Sequence, residues 1–361
     1  RPEYAAFFHV WVVSEDCEIP KEIEHASNVA VVRRGSDAYV RYLATAGFLI
    51  NNVSFPEYFV RRDDQIYLNT WHGTPIKFLG KDIKDSLLAH KNVARNFLNA
   101  SHLLTQNAYT TDILLSRSDI KDTIAGVVLE SGYPRVDRTL ALSSQDIGEL
   151  RKRLGCKEGD KLVLYAPTWR GLHGSATIDK AALLADLEAM RASGHRVIMR
   201  AHHMVENLVR SLPIGDMVVP SDIDSNILLG AVDALITDYS SIAFDFFVQR
   251  KPVIYYAFDI AEYERERGLY FPLTDLPAHL VFDRETLVDT LHDLDFDTSS
   301  EYDDAVQRFC PHDDGAAADR VIDQVFGRRC TPALATESTG HRHRLLFYVG
   351  AFIPNGILTS F

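Results

Sequence analysis

Short apolar runs alternate with amphipathic segments along most of this chain. In the first half the runs fall at Ala6–Val13, Val29–Val32, Phe48–Asn51, Ile66–Thr70, His102–Thr105 and Ile124–Leu129. Between them, Asp37–Thr45, Asp85–Asn99 and Thr110–Leu115 carry helical spacing. This alternation predicts parallel strands covered by helices. A helix at Ser144–Leu154, capped by Ser143 or Ser144 and followed by Gly155, is predicted to bridge to a second half.

There the pattern restarts. Strands are predicted at Leu162–Ala166, Arg196–Arg200, Met217–Val219, Ala234–Thr237 and Val253–Tyr256, with helices at Lys180–Ala192 and Ser241–Gln249. Glu285–Leu294, Glu301–Phe309 and Gly315–Phe326 give a helical finish. The expected architecture is α/β: two facing Rossmann-like domains, residues 1–143 and 144–329, with their strand ends around one cleft. Residues 330–344, rich in Pro, Thr, Ser and Gly, read as a linker.

Composition narrows the function classes. The 361 residues are 46% hydrophobic and 24% charged, as in a globular protein with a real core. A net charge of −12 argues against nucleic-acid binding, which rests on Lys and Arg. It also disfavours whole-chain attraction to an anionic membrane. Cys17, Cys156, Cys310 and Cys330 form no CxxC pair, so reduced cytosolic thiols are the simplest reading. The chain begins at Arg1 with no visible signal peptide, which suggests that sequence precedes it. Leu345–Phe361 is too short and too broken by Pro354, Asn355 and Gly356 to span a bilayer.

The candidate chemistry sits where strands end. Leu235–Thr237 runs into Asp238-Tyr239-Ser240-Ser241 and then a helix. Two hydroxyls, backbone N–H groups and a helix start together suit phosphate, although a helix cap explains the same residues. Trp71-His72-Gly73-Thr74-Pro75 follows Ile66–Thr70. Gly73 lets a ligand approach the backbone, and His72 can act as general base or make a structural hydrogen bond.

Arg200-Ala201-His202-His203 ends Arg196–Arg200; the guanidinium could fork two bonds to phosphate. Adjacent histidines on a strand point to opposite faces, so a shared metal is not expected, and His203 reads as packing or surface. Tyr165-Ala166-Pro167-Thr168-Trp169-Arg170 could line a nucleotide pocket, or Trp169 could simply pack. Gly132-Tyr133-Pro134-Arg135-Val136-Asp137 is a further turn, with a rigid connector and an Arg–Asp pair as its plain reading. Asp222-Ile223-Asp224 looks like a DxD metal motif, but capping of a helix at Asn226–Gly230 explains it better.

Taken in order, these turns resemble the CDP-glycerol glycerophosphotransferase family, the polymerases and primases of teichoic-acid and related capsule chains. The matching pieces are WHGTPIKFLG (Trp71–Gly80), GYPRVD (Gly132–Asp137), YAPTWR (Tyr165–Arg170), RAHH (Arg200–His203) and ITDYSSIAFDF (Ile236–Phe246). KPVIYYAFDIAEYERERGLYF (Lys251–Phe271) and DGAAADRVID (Asp314–Asp323) follow. The resemblance spans residues 5 to 327 and departs from the family at His203, where Pro or an aromatic residue is usual.

The resemblance implies a GT-B-like fold with an acceptor domain first and a CDP-polyol domain second. It implies transfer of a polyol phosphate, foremost glycerol phosphate, to a lipid-linked or polymeric hydroxyl, with release of CMP. His72 and His202 map to the family's two histidine turns. The expected mechanism has His72 as base. Arg200, His202, Ser240, Ser241 and Thr168 hold the donor's phosphates, and Asp238 and Asp245 orient the turns. Gly73, Thr74 and Arg170 support them. No tightly bound metal or other cofactor is expected, and the expected location is cytoplasmic, peripheral at the inner face of the cell membrane. Residues 345–361 resemble the opening of a second, downstream glycosyltransferase domain, with a disordered or docked tail as the other reading. A nucleotide-sugar glycosyltransferase and a silent acceptor-docking module are the alternatives in function.

Overall fold

Strands β7 (Leu162–Ala166), β9 (Ala234–Thr237) and β10 (Val253–Tyr256) are buried at every position, as central strands covered on both faces must be. By contrast β1 (Phe8–Val13) buries Val10, Val12 and Val13 and leaves Trp11 partly open. The computed structural model describes residues 4–15, 19, 23, 25–84, 90–168, 179–200, 214–327, 344–348, 352–353 and 357–358.

The chain divides into two compact units. The first comprises Arg1–Gly73, Leu79–Asp137 and Pro311–Ser360; the second comprises Thr74–Phe78 and Arg138–Cys310. Sequence alone placed the division at 143/144 and gave the whole helical finish to the second half. The structure instead returns Pro311–Phe326 to the first unit, and buried polar bonds explain why. Asp313 accepts from the Tyr133 amide (2.8 Å) and from the Gln106 side chain (2.8 Å). Asp137 accepts from the Ala317 and Ala318 amides and so caps the helix Ala317–Val325. Phe326 then packs on Phe48, with ring centroids 5.0 Å apart.

The first unit's sheet adds β2 (Val29–Arg33), β3 (Phe48–Asn51), β4 (Ile66–Asn69), β5 (His102–Thr105) and β6 (Val127–Glu130). Its strands are all parallel, in the order β2-β1-β12-β3-β4-β5-β6, where β12 is Arg344–Tyr348. Arg344–Tyr348, at the head of the stretch that resembles the opening of a downstream domain, is a strand of this sheet. It pairs with β1 on one side and β3 on the other, and so satisfies the backbone groups that both strands turn toward the gap. Phe352–Ile353 and Ile357–Leu358 pair antiparallel beyond it.

In the second unit β8 (Arg196–Met199) and β11 (His279–Val281) complete a parallel sheet of order β11-β10-β9-β7-β8. Numbered within the unit this is 2-1-3-4-5, a doubly wound order whose direction reverses between β7 and β9. Ligands in such sheets bind outside the carboxyl ends of the strands at that reversal. The strand expected at Met217–Val219 is a 3-10 turn, Gly215–Met217, with one bridge from Val218 to Met199. Gly215 and Pro220 leave too little chain for a ladder. Thr74–Phe78 joins this unit by backbone bonds to Gly268 and Tyr270. Among the described residues, no helix is long and apolar enough to cross a membrane.

Candidate functional site

In the first unit, β4 delivers a strained turn. Trp71 adopts φ +50°, a left-handed conformation costly for a bulky residue. Its indole Nε1 donates to the Gly73 carbonyl at 2.9 Å, and its ring centre lies 4.0 Å from that of His72. His72 Nδ1 stands 2.8 Å from the Asn52 carbonyl oxygen, so Nδ1 must carry the proton. In the neutral ring the lone pair then belongs to Nε2. Burial pushes the His72 pKa down to about 4. The Asn52 bond acts upward against this, and the positive charge of Arg135 adds to the fall. At neutral pH the imidazole is therefore an unprotonated base with a fixed tautomer.

Arg135 is a residue that sequence reasoning missed. Its Nη1 donates to the His72 carbonyl at 3.0 Å, and its guanidinium lies 4.5 Å from the Tyr133 ring centre. The Arg135–Asp137 pair suggested by sequence gives way to this arrangement, because Asp137 faces the Ala317 and Ala318 amides. The helix Pro134–Leu140 begins immediately before Arg135 and aims it. Replacing Arg135 by Ala is expected to raise the His72 pKa, since a nearby positive charge disfavours imidazolium. The acid limb of the rate–pH profile should then move to higher pH; an unmoved limb would show that Arg135 does not act on the ring.

In the second unit, the ends of β7 and β9 are tied together where the sheet reverses. Asp238 accepts from the Thr168 amide with both carboxylate oxygens, at 2.9 and 3.0 Å, and from the Tyr239 amide at 2.6 Å. Thr237 Oγ1 donates to the Ala166 carbonyl at 2.7 Å. Asp238 is thus a structural clasp that holds Thr168 beside the Ser240–Ser241 turn. Ser240 Oγ accepts from the Ile242 amide at 3.3 Å, whereas Ser241 makes no side-chain capping bond. The helix that follows is Ile242–Phe247, shorter than expected, and holds Asp245 buried in its first turn.

Arg200 requires a correction. Its Nη1 donates to the Pro220 carbonyl at 3.2 Å and its Nη2 to that of Ile223, so the guanidinium braces the 220–223 loop. The side chain is buried. Two nitrogens of the fork expected to grip phosphate are thus committed to the 220–223 loop. Thr74 is buried in the Thr74–Phe78 segment of the second unit, and Gly73 is the last residue of the first unit before it. His202, His203, Trp169 and Arg170 lie outside the described residues.

The DxD pattern is accounted for without an ion. Asp224 caps the helix Ser225–Ala231 and pairs with Arg138 at 2.8 Å, and Asp222 pairs with Arg153 at 2.6 Å. Among the described residues, no group of three or more His, Cys, Asp or Glu side chains could hold a metal ion.

Comparison with known proteins bears on the fold and the family. Residues 1–327 match the family described as CDP-Glycerol:Poly(glycerophosphate) glycerophosphotransferase. The teichoic acid glycerol-phosphate transferase of Staphylococcus aureus (strain NCTC 8325 / PS 47) is 30% identical over 343 residues, 88% of this chain and 85% of that protein. The teichoic acid poly(glycerol phosphate) polymerase of Bacillus spizizenii (strain W23) is 29% identical over 330 residues, 85% of this chain and 81% of that protein. A solved structure of a variant of the wall teichoic acid polymerase TagF, soaked with CDPG, superposes with a TM-score of 0.77 at 26% identity. It covers 92% of this chain and 84% of that one. The fold is therefore GT-B-like, and the chain belongs to the CDP-glycerol:poly(glycerophosphate) glycerophosphotransferase family, enzymes that transfer polyol phosphate.

Proposed function

We propose that this chain transfers glycerol phosphate from CDP-glycerol to a hydroxyl of a teichoic-acid-type acceptor, with His72 as general base. The observation that carries the reading is the state of His72. Its Nδ1 proton is held by the Asn52 carbonyl, which leaves Nε2 as the proton-accepting nitrogen, and its depressed pKa keeps that nitrogen unprotonated at neutral pH.

In the proposed step the acceptor hydroxyl gives its proton to Nε2 while its oxygen bonds to the phosphorus that bears glycerol. The bridging P–O bond of the pyrophosphate breaks, and its electron pair leaves with CMP. Such a transfer depends on positioning and charge compensation more than on covalent chemistry. The donor's phosphates are assigned to the second unit, at the β7/β9 reversal, where the Thr168 and Ser240–Ser241 turns are clasped by Asp238. Arg200 supports this site by fixing the 220–223 loop, and His202 is assigned to the donor's phosphates only by its place in the family's motif.

The deciding experiment measures CMP release from CDP-glycerol, with CDP-ribitol and a UDP-sugar alongside, using a polyol-phosphate acceptor. Acceptor-dependent CMP from CDP-glycerol is the expected result. CMP from CDP-ribitol alone would change the donor. Release of UDP would move the chain to the nucleotide-sugar glycosyltransferases, and saturable CDP binding without turnover would mark a silent docking module.

A further inference from the structure

The turn that carries His72 is pinned by a residue outside every motif considered above. Asn69 is the last residue of β4 and is fully buried. Its Oδ1 accepts from the Trp71 amide at 2.9 Å, which secures the one non-glycine residue of the turn held at positive φ. Its Nδ2 donates to the Val53 carbonyl at 2.9 Å and to the Tyr67 hydroxyl at 2.9 Å. One side-chain amide thus spans two loops. One loop carries the His72 ring; the other carries the Asn52 carbonyl that bonds Nδ1 of that ring.

Neighbouring bonds hold the same two loops in register. The Thr70 amide donates to the Asn51 carbonyl at 2.9 Å, and the Val53 amide donates to Asn51 Oδ1. Behind Asn69, Tyr67 donates to Asn96 Oδ1 at 3.0 Å, and Asn96 also holds the Phe55 amide at 2.8 Å. The amide accepts from Trp71 with its oxygen while it donates to Val53 with its nitrogen; an ionised carboxylate has no proton to donate, and a hydroxyl has a single atom where the amide has two to reach both partners.

We propose that Asn69 is a positioning residue for catalysis: by bridging Trp71 and Val53 it holds His72 Nδ1 against the Asn52 carbonyl and so keeps Nε2 as the base. The inference rests on the assignment of His72 as base. A side chain displaced by about 1 Å at such a point can cost a hundredfold in rate.

Asn69→Asp keeps the size and the acceptor for Trp71 but loses the donor to Val53. It is expected to lower kcat by about 10- to 100-fold while leaving KM for CDP-glycerol unchanged. Nitrogen-15 spectra of the imidazole should show His72 passing from a single Nδ1–H tautomer to a mixture. Asn96→Asp is the control, because it perturbs the same buried network without touching the turn. A merely structural role for Asn69 predicts that both variants lose melting temperature and activity in parallel, with the tautomer unchanged. That result overturns the proposal, as does an Asn69→Asp enzyme with wild-type kcat. Should Asn69→Asp not fold, Asn69→Ser, too short to reach both partners, carries the same expectations. His72→Ala separates the two ideas. If it is inactive while the Asn69 variants are normal, this inference alone fails; if it turns over normally, the base assignment fails with it.

Discussion

His72→Ala is expected to lower kcat by about a thousandfold, within the range for loss of a positioned general base, while CDP-glycerol binding persists. Persistence follows because the donor's phosphates are assigned to the turns of the second unit, whereas His72 belongs to the first. CMP release and calorimetric titration with CDP-glycerol measure the two quantities separately. Turnover near wild type would remove His72 from the role of base. Loss of donor binding together with turnover would make it a donor contact instead.

The same residue sets the pH dependence. Its pKa is about 4 in the folded protein against 6.5 for the free group, so the base form persists well below neutrality. Between those values the unfolded chain binds more protons than the folded one. Stability tied to neutral His72 is therefore complete above 6.5 and is lost as pH falls toward 4. Its full size is up to about 3 kcal/mol, from 1.36 kcal/mol per pKa unit. Melting temperatures of wild type should fall over that window more steeply than those of His72→Ala. Equal slopes would show that His72 titrates normally.

Gly132→Ala is expected to be among the most destabilising single changes in the first unit. Gly132 sits at φ +75°, where a side chain is strained in any surroundings. An added Cβ would lie 2.5 Å from the His312 carbonyl oxygen and 2.7 Å from Asp313 Oδ1. Neither neighbour can yield easily, since one is backbone and the other holds the Tyr133 amide and Gln106. Backbone strain and overpacking of this kind cost about 3 kcal/mol or more together. In a unit of this size that corresponds to a melting point lower by about 6 to 12 °C. Scanning calorimetry measures it directly, and a shift below about 2 °C would mean that the 312–313 segment moves aside at little cost. Since Gly132 opens the turn that aims Arg135, the variant should also move the acid limb of the rate–pH profile.

Much of this was legible in the residue pattern. The runs at Phe48–Asn51, His102–Thr105, Leu162–Ala166, Ala234–Thr237 and Val253–Tyr256 became strands with those bounds. Strands buried on both faces must be continuously apolar, so they advertise themselves. The three residues of β11 carry too little sequence for any such signal. The turns at His72 and Asp238 were visible for a related reason. Residues placed just beyond an apolar run are at a strand's carboxyl end, where α/β proteins put their chemistry.

Partners distant in sequence were not legible. Arg135 reaches His72 across 63 positions, and Asp313 reaches Tyr133 across 180. Arg200 read as a phosphate fork because its type and position suit one, and nothing local shows that Pro220 and Ile223 occupy it. Asn69 had no motif at all. The sequence by itself determined the α/β class, most strand positions, the family and the two turns at His72 and Asp238, because each depends on spacing within a short stretch. The tertiary structure alone decided where the units divide, the strand order, the tautomer of His72 and the partners of Arg135, Arg200 and Asn69. Each of these depends on which buried polar groups meet, and hydrogen bonds in a folded core join residues without regard to their separation along the chain.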